Sequence, residues 1–250
     1  MDSAGRSAIR EPLQKLLARV PQAGHPLVGQ AYHLASASHE GQSRDEGQPY
    51  ITHPIGVALI LASELGFSKD MEMIVAALLH DAVEDTALSL DDIAPAFGPA
   101  VADLVKGVTK EGARTRGRAA RRAATLQALF TAAREDPRVL ILKLADRVHN
   151  MRSIGGLKEP RRRNRIAQET ADIYAPLSHL LGMGRIRREL EDLSLSCLEP
   201  QVYGELVEAM DTDPPHHFAD FRRELEKVVG DQGIRTRADL QVKSLTSIYR

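Results

Sequence analysis

Titratable side chains follow directly on one of the most apolar stretches of the sequence. The run from Ile74 to Leu79 ends in His80 and Asp81, and Glu84 and Asp85 come one helical turn later. On a helix, these four positions cover about a third of the circumference, so we expect them to share one face. Adjacent histidine and aspartate side chains can coordinate one metal ion, with the two later carboxylates directed into the same cavity.

Two further segments combine apolar residues with a potential metal ligand. His53 stands just before a helix that Pro54 is suited to begin, and Asp146 follows the largely apolar run from Leu140 to Ala145. A single His–Asp pair is more simply explained as a helix end with a hydrogen-bonded histidine and solvated acids. The coincidence of three such segments instead indicates a shared site.

The candidate ligands supply two imidazole nitrogens and two carboxylates, from His53, His80, Asp81 and Asp146. This donor set suits Mn²⁺ or Fe²⁺ with positions left open for water and substrate, whereas structural zinc normally takes thiolates in a closed shell. An ion so held polarises a phosphoryl oxygen and lowers the pKa of water, and Glu84 and Asp85 are candidates to transfer the proton. The pattern predicts metal-dependent hydrolysis of a phosphate ester.

The elements that must position these residues are predicted to be helices. Apolar residues recur mostly at helical spacing, which predicts an all-α bundle of roughly ten helices. Ser68 is a candidate N-cap for a helix running to about Thr86, and Ser89 with Asp92 predicts a capping box for a helix that ends before Gly98. Further helices are expected at 100–107, 118–135, 137–152, 161–181, 185–197, 200–210 and 215–229.

The composition is that of a globular chain without a global charge signature. The 250 residues are 43% hydrophobic and the net charge is −1. The single cysteine, Cys197, cannot form an intramolecular disulfide, and the first ten residues lack the apolar run of a signal peptide, which together indicate the cytosol. The longest apolar runs are far shorter than the roughly 20 residues that span a bilayer. We therefore expect no membrane partner. Because tryptophan is absent and aromatic residues are 4% of the chain, we also expect no nucleic-acid partner, and the oligomeric state stays open.

Seven blocks of residues between Ala31 and Glu199 stand in an order that is found in a known family. The blocks are Ser38–Gln42, Pro49–Pro54, His80–Thr86, Phe97–Gly98, Gly107–Lys110, Lys143–Arg152 and Tyr174–Leu177. They resemble the hydrolase domains of the RelA/SpoT homologues, which are HD-superfamily enzymes that degrade the alarmone ppGpp. The resemblance implies an HD-domain helical bundle and a reaction in which water releases pyrophosphate from the 3′ position, leaving GDP or GTP.

The resemblance also implies a role for each part of the candidate site. The family's Mn²⁺ ligands are matched by His53, His80, Asp81 and Asp146. Its catalytic acidic pair is matched by Glu84 and Asp85. The family therefore implies Mn²⁺ as the cofactor.

Four residues are predicted to bind the nucleotide. Arg44 matches a family residue beside the bound base, and Asn150 matches one near the ribose and the attacking water. Lys143 and Arg147 come from the same block as Asn150 and are predicted to join them. A cluster of arginines could hold the outer phosphates or could form a solvated helix face, and it comprises Arg114, Arg116, Arg118, Arg121 and Arg122.

The sequence departs from the family at Asp45 and Glu46, where a basic residue and a small hydroxyl are usual. Guanine preference therefore does not follow from the resemblance, and ppApp stays an alternative substrate. Two other functions also stay open: an HD phosphohydrolase that acts on another nucleotide, and a non-catalytic regulatory module that binds alarmone.

Three regions are expected along the chain. Residues 1–200 are predicted to form the HD-type hydrolase domain, and 201–232 a helical extension. Residues 233–250 are predicted to be either the residual start of a synthetase-like region or a disordered tail, because Val242 to Arg250 resembles the opening of the family's synthetase domain.

Overall fold

The computed structural model describes residues 3–109, 118–212, 216–232 and 245–249. Every regular element within these ranges is a helix, accompanied by an isolated antiparallel bridge between Ser43 and Pro49. The predicted all-α fold class is therefore confirmed. The chain divides into two compact units, Met1–Lys158 and Glu159–Arg250. Among the described helices, none combines the length and the apolar character that crossing a membrane requires.

The first unit consists of nine α-helices in its described ranges. They are α1 (Ser3–Leu17), α2 (His25–Ser38), α3 (Thr52–Ser63), α4 (Met71–Leu79), α5 (Ala82–Asp85), α6 (Leu90–Phe97), α7 (Pro99–Val108), α8 (Arg118–Glu135) and α9 (Arg138–Arg152). Short 3₁₀ turns precede α2 at Gln22–Gly24 and follow α9 at Ile154–Gly156.

Helix α4 is the centre of this unit. All of its residues from Met73 to Leu79 are buried, and α2, α3, α7 and α9 pack around it. A helix that is apolar on every side is stable only when it is surrounded. The residue that follows α4 therefore emerges from the middle of the core, and that residue is His80.

The prediction of one helix from Ser68 to about Thr86 is wrong in two respects. The helix begins at Met71, because the Asp70 side chain accepts a hydrogen bond from the Met73 amide at 3.1 Å and so caps the first turn. The helix also stops at Leu79, and a separate short helix resumes at Ala82.

The capping box predicted for α6 is confirmed. The Asp92 side chain accepts from the Ser89 amide at 2.9 Å, and the reciprocal Ser89 contact to the backbone is present as well. Gly98 ends this helix with a φ of 92°, a conformation that favours glycine, and Pro99 starts α7 at once.

The second unit contains six α-helices in its described ranges. They are α10 (Pro160–Glu169), α11 (Ala175–Leu180), α12 (Gly184–Leu198), α13 (Pro200–Thr212), α14 (His216–Gly230) and α15 (Leu245–Tyr249). A π-helical segment, Thr170–Tyr174, joins α10 to α11. The division of the chain into a hydrolase domain (1–200), a helical extension (201–232) and a synthetase-like start or tail (233–250) stays a prediction.

Candidate metal centre

Histidine and aspartate side chains from two helices of the first unit, and from the break that follows α4, meet beside the end of α4. His80 and Asp81 occupy the break between α4 and α5, while His53 lies in the first turn of α3. Asp146 lies in the middle of α9. The two histidines and Asp146 are buried, with 1%, 2% and 7% exposure for His53, His80 and Asp146.

The nitrogens and carboxylate oxygens of this cluster converge on one point. His53 Nε2 lies 3.2 Å from His80 Nε2, 3.3 Å from Asp81 Oδ2 and 3.4 Å from Asp146 Oδ1. His80 Nε2 lies 3.2 Å from Asp81 Oδ1. One atom each from His53, His80 and Asp146 forms a set within 4.8 Å of one another, a spacing that a single metal ion can bridge. Two imidazoles and carboxylates fit a divalent ion such as Mn²⁺ or Fe²⁺.

A hydrogen bond to the backbone fixes the orientation of the His80 ring. Its Nδ1 lies 2.8 Å from the Ala77 carbonyl oxygen, which can only accept, so Nδ1 carries the proton and Nε2 faces the cluster. Hydrogen bonds of this kind orient histidine ligands in metal sites.

The cluster attracts positive charge. Burial opposes a charge on His80, but the Asp81 and Asp146 carboxylates outweigh it and raise the pKa of His80 to about 9. Burial alone would raise the pKa of Asp81, yet the His80 charge and a hydrogen bond with His53 hold it well below its ordinary value. The pKa of Asp146 is also lowered, because the Lys143 ammonium and the histidines outweigh burial. The carboxylates therefore stay ionised and are available to a cation.

Three of the four residues predicted to bind nucleotide belong to a network around Asp146. Lys143 Nζ lies 3.1 Å from Asp146 Oδ2, and the Asn150 amide donates to Asp146 Oδ1. Arg44 Nη2 donates to Asn150 Oδ1 at 3.3 Å and to Ser153 Oγ at 2.9 Å. The Lys143 side chain is buried, so its ammonium balances the cluster from within the core.

The acidic pair lies on α5, and both carboxylates are exposed. The Tyr50 hydroxyl lies 2.7 Å from Asp81 Oδ2 and 3.0 Å from Asp85 Oδ2, so it links Asp85 to the metal cluster. Burial and the two carboxylates raise the pKa of Tyr50 well above its usual range, so the phenol keeps the proton that it donates. Glu84 precedes Asp85 on the same turn.

A cleft of about 560 Å³ opens next to the cluster. Its lining includes His149, whose Nδ1 lies 2.9 Å from His53 Nδ1, and Ser153, which accepts from Arg44. Glu46 and Gly156 both line this cleft. The Glu46 side chain packs against Gly156, and a Cβ at residue 156 would overlap it. Burial and the nearby charges of His53 and Arg44 lower the pKa of His149 to about 3, which keeps this imidazole neutral.

Some predicted residues stay outside this geometry. Arg147 is partly buried, and its side chain leaves α9 about 100° around the helix from that of Asp146. Arg114 and Arg116 lie outside the described residues, as do the side chains of Arg118, Arg121 and Arg122. Their proposed contacts with phosphate stay predictions.

Sequence reasoning missed two residues of the site, Tyr50 and His149. Both belong to blocks that carried the family resemblance, Pro49–Pro54 and Lys143–Arg152. For His149, a position three residues after Asp146 is a signal that could have been used, since such spacing brings side chains together on a helix. Tyr50 precedes α3, so no helical spacing relates it to His53.

Comparison with known proteins identifies the class. Residues 31–184 match the family model of the HD domain, so the chain belongs to the HD-domain family. Its curated relatives are of the RelA/SpoT type, as the sequence blocks predicted. The SpoT protein of Escherichia coli K12, a bifunctional (p)ppGpp synthase/hydrolase, is 42% identical over 224 residues, which cover 88% of this chain and 31% of SpoT.

Two other relatives are similar to the same degree. A guanosine-3′,5′-bis(diphosphate) 3′-pyrophosphohydrolase of Aquifex aeolicus is 44% identical over 81% of this chain and 28% of its own length. A probable GTP pyrophosphokinase of Mycobacterium leprae is 41% identical over 99% of this chain and 32% of its own length. The chain thus spans about a third of the length of these curated relatives. A solved structure of a metazoan SpoT ortholog that hydrolyzes ppGpp is 28% identical, with a TM-score of 0.48, and the match covers 67% of this chain and 84% of that one.

Proposed function

We propose that this chain is a Mn²⁺-dependent hydrolase that removes the 3′-pyrophosphate from ppGpp or pppGpp, giving pyrophosphate and GDP or GTP. The observation that carries the proposal is the convergence of His53, His80, Asp81 and Asp146 on one point. The activities for which the SpoT and Aquifex aeolicus relatives are named support the same substrate. As the sequence suggests, we assign this activity to the cytosol.

The donor set supports a catalytic divalent ion such as manganese over a structural zinc ion. Nitrogen and carboxylate ligands suit Mn²⁺, and no cysteine belongs to the cluster, whereas structural zinc prefers thiolates. When bound, the ion would polarise a phosphoryl oxygen and lower the pKa of the attacking water. Asp81 and Asp146 would hold it, and the Lys143 ammonium would keep Asp146 ionised.

The remaining chemistry is proton transfer, which we assign to the acidic pair. Water adds to the phosphorus next to the ribose, the bond from phosphorus to the 3′ oxygen breaks, and that oxygen takes up a proton. Glu84 and Asp85 are exposed and so can exchange protons with solvent, and Tyr50 holds Asp85 beside Asp81. Asn150 and Arg44 would orient the ribose and the base.

We assign the nucleoside to the cleft that His149 and Ser153 line. Its volume of about 560 Å³ lies in the range of small-molecule sites, and Ser153 connects it to Arg44 and Asn150. Glu46 offers a carboxylate in this cleft. Guanine presents two adjacent N–H donors that a carboxylate can accept, whereas adenine presents one donor beside an acceptor, so Glu46 favours guanine.

Product analysis of the purified protein with Mn²⁺ tests the proposal, on ppGpp, pppGpp, ppApp and ordinary nucleoside triphosphates. Pyrophosphate and GDP or GTP should form, and EDTA and the Glu84→Ala variant should each abolish them. A Glu46→Gln variant should shift the rate ratio towards ppApp, whereas Asp103→Asn, an exposed acid on α7, should leave it unchanged.

The alternatives give different outcomes in the same assay. Turnover of nucleoside triphosphates alone would mean that the substrate is another nucleotide and not an alarmone. Tight alarmone binding without turnover in Mn²⁺ would instead identify a regulatory module.

A further inference from the structure

The two histidines His53 and His149 share a hydrogen bond through their Nδ1 atoms. These atoms lie 2.9 Å apart, and the rings meet nearly edge to face, at 70° with 4.8 Å between centroids. Two ring nitrogens at this distance need one proton between them, so one donates and the other accepts.

The direction of this hydrogen bond follows from the other face of His53. His53 Nε2 points at His80, Asp81 and Asp146, which makes it the atom that a cation would bind. A neutral imidazole that offers the Nε2 lone pair carries its proton on Nδ1. His53 Nδ1 is therefore the donor and His149 Nδ1 the acceptor, so the proton of His149 is on Nε2.

We propose that His149 is a positioning residue that fixes the tautomer and the ring orientation of His53 for divalent metal binding. The proposal rests on the metal centre of the proposed function. In this proposal the His149 side chain on α9 orients His53, just as the Ala77 backbone carbonyl orients His80. Partners of this kind raise ligand basicity, and their removal typically costs about 10-fold to 100-fold in metal affinity.

Gly56 provides the space that this arrangement requires. It follows His53 by three residues on α3, and a Cβ at this position would overlap Nε2 and Cδ2 of the His149 ring. Gly155 lines the same cleft, yet a Cβ there would meet nothing within 4 Å. Gly155→Ala can therefore serve as a control, because a side chain there lies in the same cleft without approaching the His149 ring.

Two substitutions at His149 separate the hydrogen bond from packing. The asparagine of His149→Asn carries Oδ1 near the place of Nδ1 and can accept from His53, whereas the leucine of His149→Leu fills the space without an acceptor. We expect titration calorimetry with Mn²⁺, in the absence of nucleotide, to show about 10-fold to 100-fold weaker binding for His149→Leu and a substantial recovery for His149→Asn. Urea unfolding of the metal-free variants verifies that each one is folded.

Equal Mn²⁺ affinity for wild type and His149→Leu would overturn the proposal, as would a weaker affinity for His149→Asn than for His149→Leu. Failure of the wild type to bind Mn²⁺ would overturn it together with the metal centre. Because this titration contains no substrate, normal Mn²⁺ binding without alarmone hydrolysis would contradict the proposed function alone.

Gly56→Ala tests the same proposal from α3, and Gly155→Ala, in the 3₁₀ turn after α9, is its control. A helical glycine replaced by alanine ordinarily gains about 1 kcal/mol of stability. We expect Gly56→Ala instead to weaken Mn²⁺ binding at least about 10-fold, because it displaces the acceptor ring, and Gly155→Ala to bind as the wild type does. Identical Mn²⁺ affinity in the two alanine variants would contradict a positioning role for His149.

Discussion

Helix α9 carries two clusters of charged side chains, and their charges are balanced in different ways. At its first residue, the Arg138 guanidinium lies 2.8 Å from Asp136 Oδ2, 3.0 Å from Asp70 Oδ2 and 2.8 Å from Glu72 Oε2. Two turns later, Asp146 meets His53 and His80, at 3.4 and 3.8 Å. The first cluster has a fixed cation at its centre, while in the second the ligand atoms surround a point.

This difference separates a structural ion cluster from a candidate binding site. Around Arg138, the guanidinium fills the space between the carboxylates and donates to each of them, so no further ion is needed there. In the metal centre, the Lys143 ammonium and a proton on His80 keep the buried carboxylates ionised, and a divalent ion can replace the proton on His80. The burial of the ligand atoms and their convergence on one point, and not the number of charged groups, indicate function.

The two clusters lie along the same pair of helices, α4 and α9. Arg138 joins the start of α9 to Asp70 and Glu72 at the start of α4. The helical rise is about 13 Å from Met71 to His80 and about 12 Å from Arg138 to Asp146. This clamp between α4 and α9, formed by Arg138 with Asp70 and Glu72, thus lies about 12 to 13 Å along the helices from the ligands.

The largest effect is expected from removing a metal ligand. His80→Ala or Asp81→Ala should abolish Mn²⁺ binding and lower the hydrolysis rate by at least about 10³, because the metal supplies several kcal/mol of transition-state stabilisation. Calorimetry and product analysis measure the two effects. Retained activity in both variants would exclude this centre as the catalytic site.

The second prediction removes an acid outside the ligand set. Glu84→Ala should keep Mn²⁺ affinity and lower kcat by at least about 10², the usual contribution of a general acid or base. Asp91→Ala, which removes an exposed acid on α6, is the control and should leave kcat unchanged. An active Glu84→Ala enzyme would leave Asp85 as the sole candidate for proton transfer.

The third prediction concerns stability in the presence of metal. Mn²⁺ at 100 times its Kd should raise the free energy of unfolding by about 2.7 kcal/mol, since it binds the folded chain. Urea titrations with Mn²⁺ and with EDTA measure this gain. It should vanish in Asp146→Asn and persist in Arg138→Met; the reverse pattern would mean that the ion binds elsewhere.

The fourth prediction removes the structural cation. Arg138→Met should lower the free energy of unfolding by about 2 kcal/mol, because Asp70 and Asp136 lose a charged hydrogen-bond partner. The Mn²⁺ affinity of the folded variant should change little. A large loss of affinity would instead show that the clamp also sets the distance between His80 and Asp146.

The smallest effect is the pH dependence of this clamp. The Arg138 guanidinium, by hydrogen bonding, outweighs burial and lowers the pKa of Asp136. A carboxyl group whose pKa is lowered by folding stabilises the folded state when the pH is above the unfolded pKa of about 3.9. That stabilisation is lost as the pH falls through the folded pKa. The difference in unfolding free energy between wild type and Arg138→Met should therefore shrink below about pH 4, by less than about 1 kcal/mol for a partly exposed pair. A difference that does not change with pH would contradict this assignment.

The sequence predicted the helical fold well because its signals are local. The apolar spacing, the Ser89 capping box and the helix over 118–135 are confirmed. The start of α4 was predicted wrongly because Ser68 and Asp70 are both good N-caps, and only the packed structure selects the residue whose side chain reaches the Met73 amide. The break at His80 and Asp81 was missed because no glycine or proline marks it.

By itself, the sequence determined the helices, the class of the donor set and the blocks shared with the RelA/SpoT type. Only the tertiary structure decided which side chains contact each other across the chain. His53 meets His80 and His149 over separations of 27 and 96 residues, and Tyr50 meets Asp85 over 35. Helical periodicity places neighbours within a few turns, whereas contacts over such separations depend on how whole helices pack around α4. That is why the ligands could be named from the sequence, while Tyr50, His149 and Gly56 emerged only from the fold.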